Sequence, residues 1–254
     1  MYIGKVNLYI GIQENYMKVL CIGNSFSQDA ASYLSRVAAN QGLDIYVENL
    51  YIGGCSLERH YNNMISEEKA YELEVNGEST HINVSLNESL KKDKWDVITI
   101  QQASYFSAFY SSYQPYASEL VKYIRKNQPE AKIYIHQTWA YEEGSQRLAD
   151  IGFKTRKEMF EKLKESYCLA ADDCTVDGLI PSGQVMENIA AKGIKCHRDT
   201  FHASLGAGRY ALALTWIKAL TGADINGNSF ADTAESVSAD EVEKIKEAVN
   251  KAFK

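Results

Sequence analysis

The stretch Lys18-Val-Leu-Cys-Ile-Gly-Asn-Ser-Phe-Ser27 decides how the rest of the sequence is interpreted. Its first half, residues 18–22, is a short apolar run of the kind that forms a buried strand. Gly23 then permits a tight bend, and residues 30–41 carry apolar side chains at helical spacing. A buried strand that turns into an amphipathic helix is a typical first unit of an α/β domain. Ser25 therefore lies just beyond the carboxyl end of the first predicted strand.

Strand-like and helix-like segments alternate along the rest of the chain. Further strands are predicted at residues 44–50, 96–100, 132–136 and 176–180. Helices are predicted at residues 30–41, 57–65, 117–126, 157–171, 185–191, 206–220 and 239–253. This alternation predicts an α/β fold in which helices cover both faces of a five-stranded parallel sheet. Because no linker or repeat divides the chain, residues 1–254 are expected to form a single domain.

One segment interrupts the alternation. Tyr71-Glu-Leu-Glu-Val75 alternates polar and apolar residues, Asn76-Gly77 is a strong turn signal, and residues 80–86 alternate again. The pattern predicts a β-hairpin at residues 70–86, inserted between the second and third strands of the sheet. The hairpin either shapes the rim of a binding site or decorates the surface.

Composition excludes several classes of function. A formal charge of −6 and a pI near 5.5 argue against a nucleic-acid surface, and no run of 18 apolar residues exists to span a membrane. Five cysteines without a CxxC pair indicate reduced thiols. Cys196, His197 and His202 fit no common zinc spacing, so neither a metal nor another cofactor is expected.

The first sixteen residues have no clear structural pattern. Their apolar run, residues 6–12, is too short and too polar at its flanks for a signal peptide. They form either an unstructured extension, with Met17 as the true start, or an additional edge strand. A cytoplasmic protein is expected on this basis, and a secreted or periplasmic protein whose leader is missing stays open.

A carboxylate and an imidazole near the C-terminus provide partners for Ser25. In Asp199-Thr-Phe-His202 the two groups are three residues apart, which places them on the same side of a helical or turn-like segment. A serine hydroxyl becomes a nucleophile when an oriented base takes its proton. Asp199 is therefore predicted to orient His202, which would activate Ser25; His197 is a rival base with poorer spacing. The alternative is that Ser25 only caps a helix.

The chain contains an internal control for this interpretation. Gly227-Asn-Ser-Phe230 repeats the tetrapeptide around Ser25, but it follows a helix and lies in a polar segment. Without a preceding strand it has no reason to face the edge of a sheet. We therefore predict a loop there.

Residues that follow two other predicted strands also suit a ligand site. Gly53 and Gly54 follow the second strand, where paired glycines let the main chain approach a ligand closely. Gln101 and Gln102 follow the third strand, and an amide NH₂ can donate to an oxyanion. The aromatic residues that come next, among them Tyr105 and Phe106, suit a sugar or acyl pocket or pack beneath their own loop.

Taken in order, these four blocks resemble the SGNH (GDSL-like) hydrolase superfamily, especially a bacterial branch with Gly-Asn-Ser-Phe-Ser as its first block. The resemblance implies a three-layer α/β/α, flavodoxin-like fold and hydrolysis of esters, often acetyl groups on carbohydrates. It makes Ser25 the nucleophile, His202 the general base and Asp199 its orienter. The backbone N–H groups of Ser25 and Gly54 would form the oxyanion hole.

The resemblance fails at one block. The superfamily takes a third oxyanion donor from an asparagine in Gly-x-Asn-Asp, which this sequence lacks, and Gln101 or Gln102 occupies that stretch. Asn24 replaces the usual aspartate before the nucleophile and, with Gly53, Tyr105 and Phe106, is assigned to substrate binding.

These observations predict a serine esterase that hydrolyses small acyl esters, above all acetyl esters, carried by a small molecule or a carbohydrate. Two alternatives stay open: a catalytically weak or silent carbohydrate-binding protein on the same scaffold, and an acyltransferase.

Overall fold

A central seven-stranded sheet organises the protein, which a computed structural model describes over residues 16–254. Its strands are β1 (Met17–Gly23), β2 (Ile45–Tyr51), β3 (Tyr71–Val75), β4 (Glu78–Val84), β5 (Val97–Ile100), β6 (Lys132–His136) and β7 (Gly178–Ile180). They lie in the order β4-β3-β2-β1-β5-β6-β7. The neighbouring pairs β2–β1, β1–β5, β5–β6 and β6–β7 are all parallel. The five predicted parallel strands are therefore confirmed. The extension predicted at residues 1–16 lies outside the described residues except for Tyr16.

The predicted hairpin is present, but the sheet has seven strands where five were predicted, because the hairpin joins it. Strand β3 pairs antiparallel with β2, and β4 pairs with β3. An open edge of β2 would leave backbone N–H and C=O groups unpaired, and the hairpin satisfies them. Asn76 (φ 50°) and Gly77 (φ 88°) both have the positive φ that a tight hairpin turn requires.

Two layers of helices cover the sheet, as the alternation predicted. The helices are α1 (Ser25–Ala31), α2 (Leu34–Ala39), α3 (Leu57–Ser66), α4 (Leu86–Lys92), α5 (Tyr116–Asn127), α6 (Gln146–Asp150), α7 (Arg156–Cys174), α8 (Ser182–Ala190), α9 (Ala207–Thr221) and α10 (Ala239–Ala252). Helices α1, α2, α8, α9 and α10 pack together in one layer, and α3, α4, α5 and α7 in the other. Within residues 16–254, none of the helices has the length and apolar character needed to cross a bilayer.

The helix predicted at residues 30–41 begins earlier and is broken in two. Helix α1 starts at Ser25, and the chain bends at Ser32 and Tyr33 before α2 begins. Tyr33 caps no helix through its side chain; its hydroxyl instead donates to the backbone oxygen of Leu205, 2.6 Å away. The periodicity of the sequence shows the apolar face, but it does not show this long-range hydrogen bond.

The topology opens a crevice at the carboxyl ends of the central strands. Beginning with β1, the chain adds β2 on one side and then crosses to add β5, β6 and β7 on the other. Helices and loops diverge at such a reversal of direction, which opens a crevice beyond the carboxyl ends of β1 and β5. Ser25 follows β1 directly and therefore lies at this crevice.

Three histidines are buried inside this framework. The ring of His60, on α3, is fully buried and lies 3.0 Å from the hydroxyl of Tyr71. Burial lowers the pKa of His60 and that of His136 to about 3. Burial, with help from Arg156, lowers the pKa of His197 to about 4. All three rings are therefore neutral in the folded protein at neutral pH.

We expect these rings to make the fold sensitive to mild acid. In the unfolded chain a histidine binds its proton below about pH 6.5, so between that pH and about 4 the unfolded state binds more protons than the folded state. The free energy of unfolding should consequently fall with decreasing pH in this window. Each ring contributes about 1.4 kcal/mol per pH unit, which gives roughly 4 kcal/mol for the three between pH 7.5 and 5.5.

Denaturant unfolding at both pH values measures this loss. In the variant His60→Gln, the loss of unfolding free energy that the three rings cause should be about one third smaller than in the wild type. His81→Gln is the matched control, because the His81 side chain is 89% exposed. This substitution should leave the pH dependence of the unfolding free energy unchanged. Equal slopes for His60→Gln and the wild type would contradict the expectation.

Candidate active site

The conformation of Ser25 is set by the residue before it. Asn24 caps α1 by accepting a hydrogen bond from the Phe26 N–H at 3.0 Å. Its amide nitrogen donates to the backbone oxygen of Cys55, and its Oδ1 also accepts from Gln101 Nε2 at 2.7 Å. Ser25 is thereby held as the first helical residue with its side chain partly exposed. The cap is Asn24, so the alternative that Ser25 serves only as a cap is not supported.

The structure brings the three predicted catalytic residues together. The Oγ of Ser25 lies 2.8 Å from Nε2 of His202, and Nδ1 of His202 lies 2.8 Å from Oδ2 of Asp199. The other oxygen of Asp199 accepts the backbone N–H of His202 at 2.9 Å. Burial opposes the negative charge of Asp199, but the hydrogen bonds from His202 outweigh it and lower the pKa of Asp199. The carboxylate is therefore ionised at neutral pH and can hold the imidazole by one nitrogen.

Asp199 and His202 belong to a tight loop with its own backbone hydrogen bonds. The N–H of Arg198 donates to the oxygen of His202 at 3.0 Å, and Thr200 has a φ of 74°, uncommon for a residue with a side chain. The ring of His197 is buried, and its Nε2 lies 3.0 Å from the backbone oxygen of Ala140. His197, the alternative base, thus helps to hold the loop in place.

A fully buried carboxylate, which the sequence analysis missed, attaches this loop to α1. Asp29 accepts hydrogen bonds from Arg198 at 2.9 Å and from the Ala203 N–H at 3.0 Å, and it pairs with Arg209 at 2.8 Å. Asp29 follows Ser25 by one helical turn, so both lie on the same side of α1. The available signal was a charged residue on the buried side of a helix, which usually requires partners.

A cavity of about 380 Å³ opens at the Ser25–His202 pair. Aromatic, polar and cationic residues near the carboxyl ends of the strands, from helices α1 and α6, strand β2 and several loops, form its wall: Asn24, Ser25, Phe26, Gln28, Tyr51, Gly53, Gly54, Ser104, Tyr105, Tyr141, Arg147, Arg198, Phe201 and His202. Of the predicted substrate-binding residues, Asn24, Gly53 and Tyr105 line the cavity, although the Asn24 amide is occupied by protein partners. Phe106 does not line it and instead contacts the ring of Tyr105 at 4.5 Å between centroids.

Two backbone N–H groups at the cavity are available as donors. Within residues 16–254, neither the Ser25 nor the Gly54 N–H donates to a protein acceptor. Gly54 has a φ of 61°, a conformation that favours glycine, and the hydroxyl of Tyr105 donates to its backbone oxygen at 3.0 Å. Tyr105 thus stabilises the turn that presents the Gly54 N–H.

The predicted role of Gln101 and Gln102 as oxyanion donors requires correction. Gln101 is buried between Asn24 and His136, with its Oε1 2.7 Å from the His136 ring. The oxygen of Gln102 accepts the Leu57 N–H, and its nitrogen donates to the backbone oxygen of Ser112. Neither side chain lines the cavity. A glutamine side chain is long enough to reach back into the fold, where buried backbone groups need partners.

The inserted hairpin contacts α1 through a buried side chain of β3, so it does more than decorate the surface. Glu74 of β3 is buried, accepts a hydrogen bond from Asn49 at 2.7 Å and contacts the amide of Gln28. Asn49 Oδ1 in turn lies 2.7 Å from Ser27 Oγ. Burial raises the pKa of Glu74, although these two amides act in the opposite direction.

Among residues 16–254, no three His, Cys, Asp or Glu side chains cluster as metal ligands would.

Comparison with solved structures shows which fold this is. A proposed SGNH hydrolase from Slackia heliotrinireducens superposes with a TM-score of 0.57 at 20% sequence identity, over 81% of this chain and 100% of the other. An acetylxylan esterase from Geobacillus stearothermophilus superposes with a TM-score of 0.51 at 15% identity, over 81% and 94%. The predicted resemblance to SGNH hydrolases is thereby confirmed at the level of the fold.

Within this fold, the chain belongs to the family DUF4886, a domain of unknown function whose model matches residues 18–252. A DUF4886 family protein from Bacteroides uniformis is 33% identical, with a TM-score of 0.87 over 94% of this chain and 95% of the other. Among proteins of curated function, no match to the sequence is found.

Proposed function

We propose that the protein is a serine esterase that hydrolyses small acyl esters, principally acetyl esters carried by carbohydrates. The observation that carries the proposal is the pair of 2.8 Å contacts that connect Ser25 to His202 and His202 to Asp199. This arrangement has the nucleophile, base and orienting carboxylate that acyl transfer through a serine requires. Its position at the wall of a cavity gives an ester access to Ser25.

In the proposed reaction, Ser25 Oγ attacks the ester carbonyl while His202 Nε2 accepts the hydroxyl proton. Asp199 holds Nδ1 and stabilises the imidazolium that forms. The carbonyl oxygen becomes negative and accepts hydrogen bonds from the Ser25 and Gly54 N–H groups. When the carbon–oxygen bond to the alcohol breaks, His202 returns its proton to that alcohol, which leaves an acyl-enzyme on Ser25.

Water completes the cycle by the same route. His202 removes a proton from a water molecule, which attacks the acyl carbonyl; the free acid leaves and Ser25 regains its proton. Because Gln101 and Gln102 are engaged elsewhere, the oxyanion hole contains two backbone donors. Loss of one donor costs about 10²–10³ in kcat in a serine protease, so we expect a modest turnover rate.

The wall of the cavity supports a carbohydrate substrate. Tyr51, Tyr105, Tyr141 and Phe201 provide aromatic surfaces for a sugar ring, and Gln28 adds a polar group. The acetylxylan esterase that shares the fold acts on an acetylated sugar polymer. A small acyl group matches the limited volume of the cavity.

Turnover and covalent labelling together test the proposal. The purified protein should hydrolyse 4-nitrophenyl acetate and acetylated xylose, and a fluorophosphonate probe should modify Ser25 in the folded state but not after unfolding. Sugar binding without turnover or labelling would instead support the carbohydrate-binding alternative. Transfer of the acetyl group to an added sugar in preference to water would support the acyltransferase. Failure of both labelling and hydrolysis would refute the esterase.

A further inference from the structure

The electrostatic character of the cavity differs from that of the whole chain. The sequence contains 33 acidic and 27 basic residues. Nevertheless two arginines, Arg147 and Arg198, line the cavity, and none of the aspartates and glutamates between residues 16 and 254 does. A cleft lined by one sign of charge concentrates ligands of the opposite sign, especially where the rest of the protein repels them.

The two arginines are not equivalent. Arg198 pairs with the buried carboxylate of Asp29, so its charge is compensated by the protein. Within residues 16–254, Arg147 pairs with no carboxylate; its guanidinium lies over the Phe201 ring, 3.7 Å from the centroid. Arg147 is exposed, and its N–H donors are available at the wall of the cavity.

The position of Arg147 relates its charge to the reacting atoms. The Phe201 ring beneath the guanidinium is itself 3.7 Å from the His202 ring, centroid to centroid. The Phe201 backbone oxygen accepts a hydrogen bond from Trp139 Nε1 at 2.7 Å, which holds the residue in place. The Arg147 guanidinium and the His202 imidazole therefore contact the same aromatic ring, each 3.7 Å from its centroid.

We propose that Arg147 forms an anion-binding subsite, so that the substrate is an acyl ester whose carrier bears a negatively charged group. A guanidinium that is stacked on an aromatic ring presents a rigid fork of N–H donors, which matches a carboxylate or phosphate through two parallel hydrogen bonds. An acetylated sugar acid fits both this fork and the aromatic wall. The inference rests on the proposed esterase function and names its substrate class.

Three monoacetylated substrates test the subsite: a neutral methyl galactoside, the corresponding methyl galacturonide, and a galactoside 6-phosphate. The wild type should favour an anionic substrate over the neutral one by about 10- to 100-fold in kcat/KM, the range expected for a charge-assisted hydrogen-bonded pair. Preference for the carboxylate or for the phosphate identifies the anion. Arg147→Gln should remove most of this ratio, and Arg147→Lys should retain part of it, because lysine keeps the charge but not the fork.

Arg36→Gln is the matched control. Arg36 also stacks on aromatic rings, those of Tyr33 and Phe230, but it does not line the cavity. Its replacement should leave the anionic-to-neutral ratio unchanged. If Arg147 only covers Phe201, then Arg147→Gln will lower stability without changing the ratio, and that result would overturn the inference. A wild type that hydrolyses neither anionic substrate faster than the neutral one would also overturn the inference.

Binding measurements separate this inference from the proposed reaction. In Ser25→Ala, calorimetry with free methyl galacturonide and methyl galactoside reports recognition without catalysis. Preferential galacturonide binding that disappears in Ser25→Ala/Arg147→Gln supports the subsite even if no ester is hydrolysed. Conversely, serine-dependent hydrolysis with no effect of Arg147→Gln on the substrate ratio leaves the esterase intact and refutes the subsite.

Discussion

Replacement of Ser25 or of His202 by alanine should each lower kcat for ester hydrolysis by up to about a million-fold, which corresponds to roughly 8 kcal/mol of transition-state stabilisation. The loss should be nearly the same for either residue and for both together, because in the proposed reaction the hydroxyl and the imidazole, 2.8 Å apart, act as one unit. Asp199→Asn should cost less, about 10⁴-fold, since the ring remains but loses its orienting charge. Steady-state kinetics with 4-nitrophenyl acetate measures all three.

The chain provides a matched control for the serine. Ser229 stands in the same Gly-Asn-Ser-Phe tetrapeptide, but it is exposed in a loop, where its N–H donates to Asn40 Oδ1 at 2.8 Å. Ser229→Ala should retain wild-type turnover and should still be labelled by a fluorophosphonate. Substantial residual activity in Ser25→Ala would show that another group is the nucleophile.

Replacement of Asp29 by asparagine should destabilise the protein by about 3–5 kcal/mol, the usual effect of removing one partner from a buried ion pair. Asparagine keeps the shape of the side chain but removes the carboxylate that pairs with both Arg198 and Arg209, and Arg198 retains only a longer, 4.0 Å contact with Asp199. Because Asp29 also accepts the Ala203 N–H, the loop that carries His202 should lose its attachment to α1. Denaturant unfolding measures the loss of stability.

Asp232→Asn is the control for charge removal at an exposed site. Asp232 pairs with Arg36, but its side chain is 82% exposed, so its loss should cost at most about 1 kcal/mol. If Asp29 positions the loop, kcat should fall in Asp29→Asn at a temperature where the variant is still folded, with a smaller change in KM. An unchanged kcat together with lower stability would limit Asp29 to a structural role.

Much of the fold follows from local patterns. The apolar run before Gly23, the alternation of strand-like and helix-like segments, and the Asn76-Gly77 turn each predicted an element that the structure contains. What these patterns did not show are relationships across the chain: the pairing of β3 with β2, and the break between α1 and α2 near Tyr33. Short helices such as α4 and α6 also escaped, because one or two turns have too little periodicity to recognise.

The candidate site likewise contains residues that the sequence predicted and residues that only the structure revealed. The position of Ser25 after the first strand and the three-residue spacing of Asp199 and His202 selected these residues, whose catalytic roles stay predictions. Spacing could not show that Gln101 turns towards His136, since side-chain direction depends on which buried groups need a partner. Nor could it show Asp29, whose partners lie about 170 positions away.

By itself, the sequence determined the class of fold and the chemical groups available, because periodicity, turn signals and residue types are local properties of the chain. Only the tertiary structure decided which of those groups meet. Two copies of Gly-Asn-Ser-Phe show the difference: one follows β1 and faces His202, and the other lies in a loop against Asn40. Their side chains are the same, but of the two serines only Ser25 contacts an imidazole, since that copy lies where the order of the parallel strands reverses.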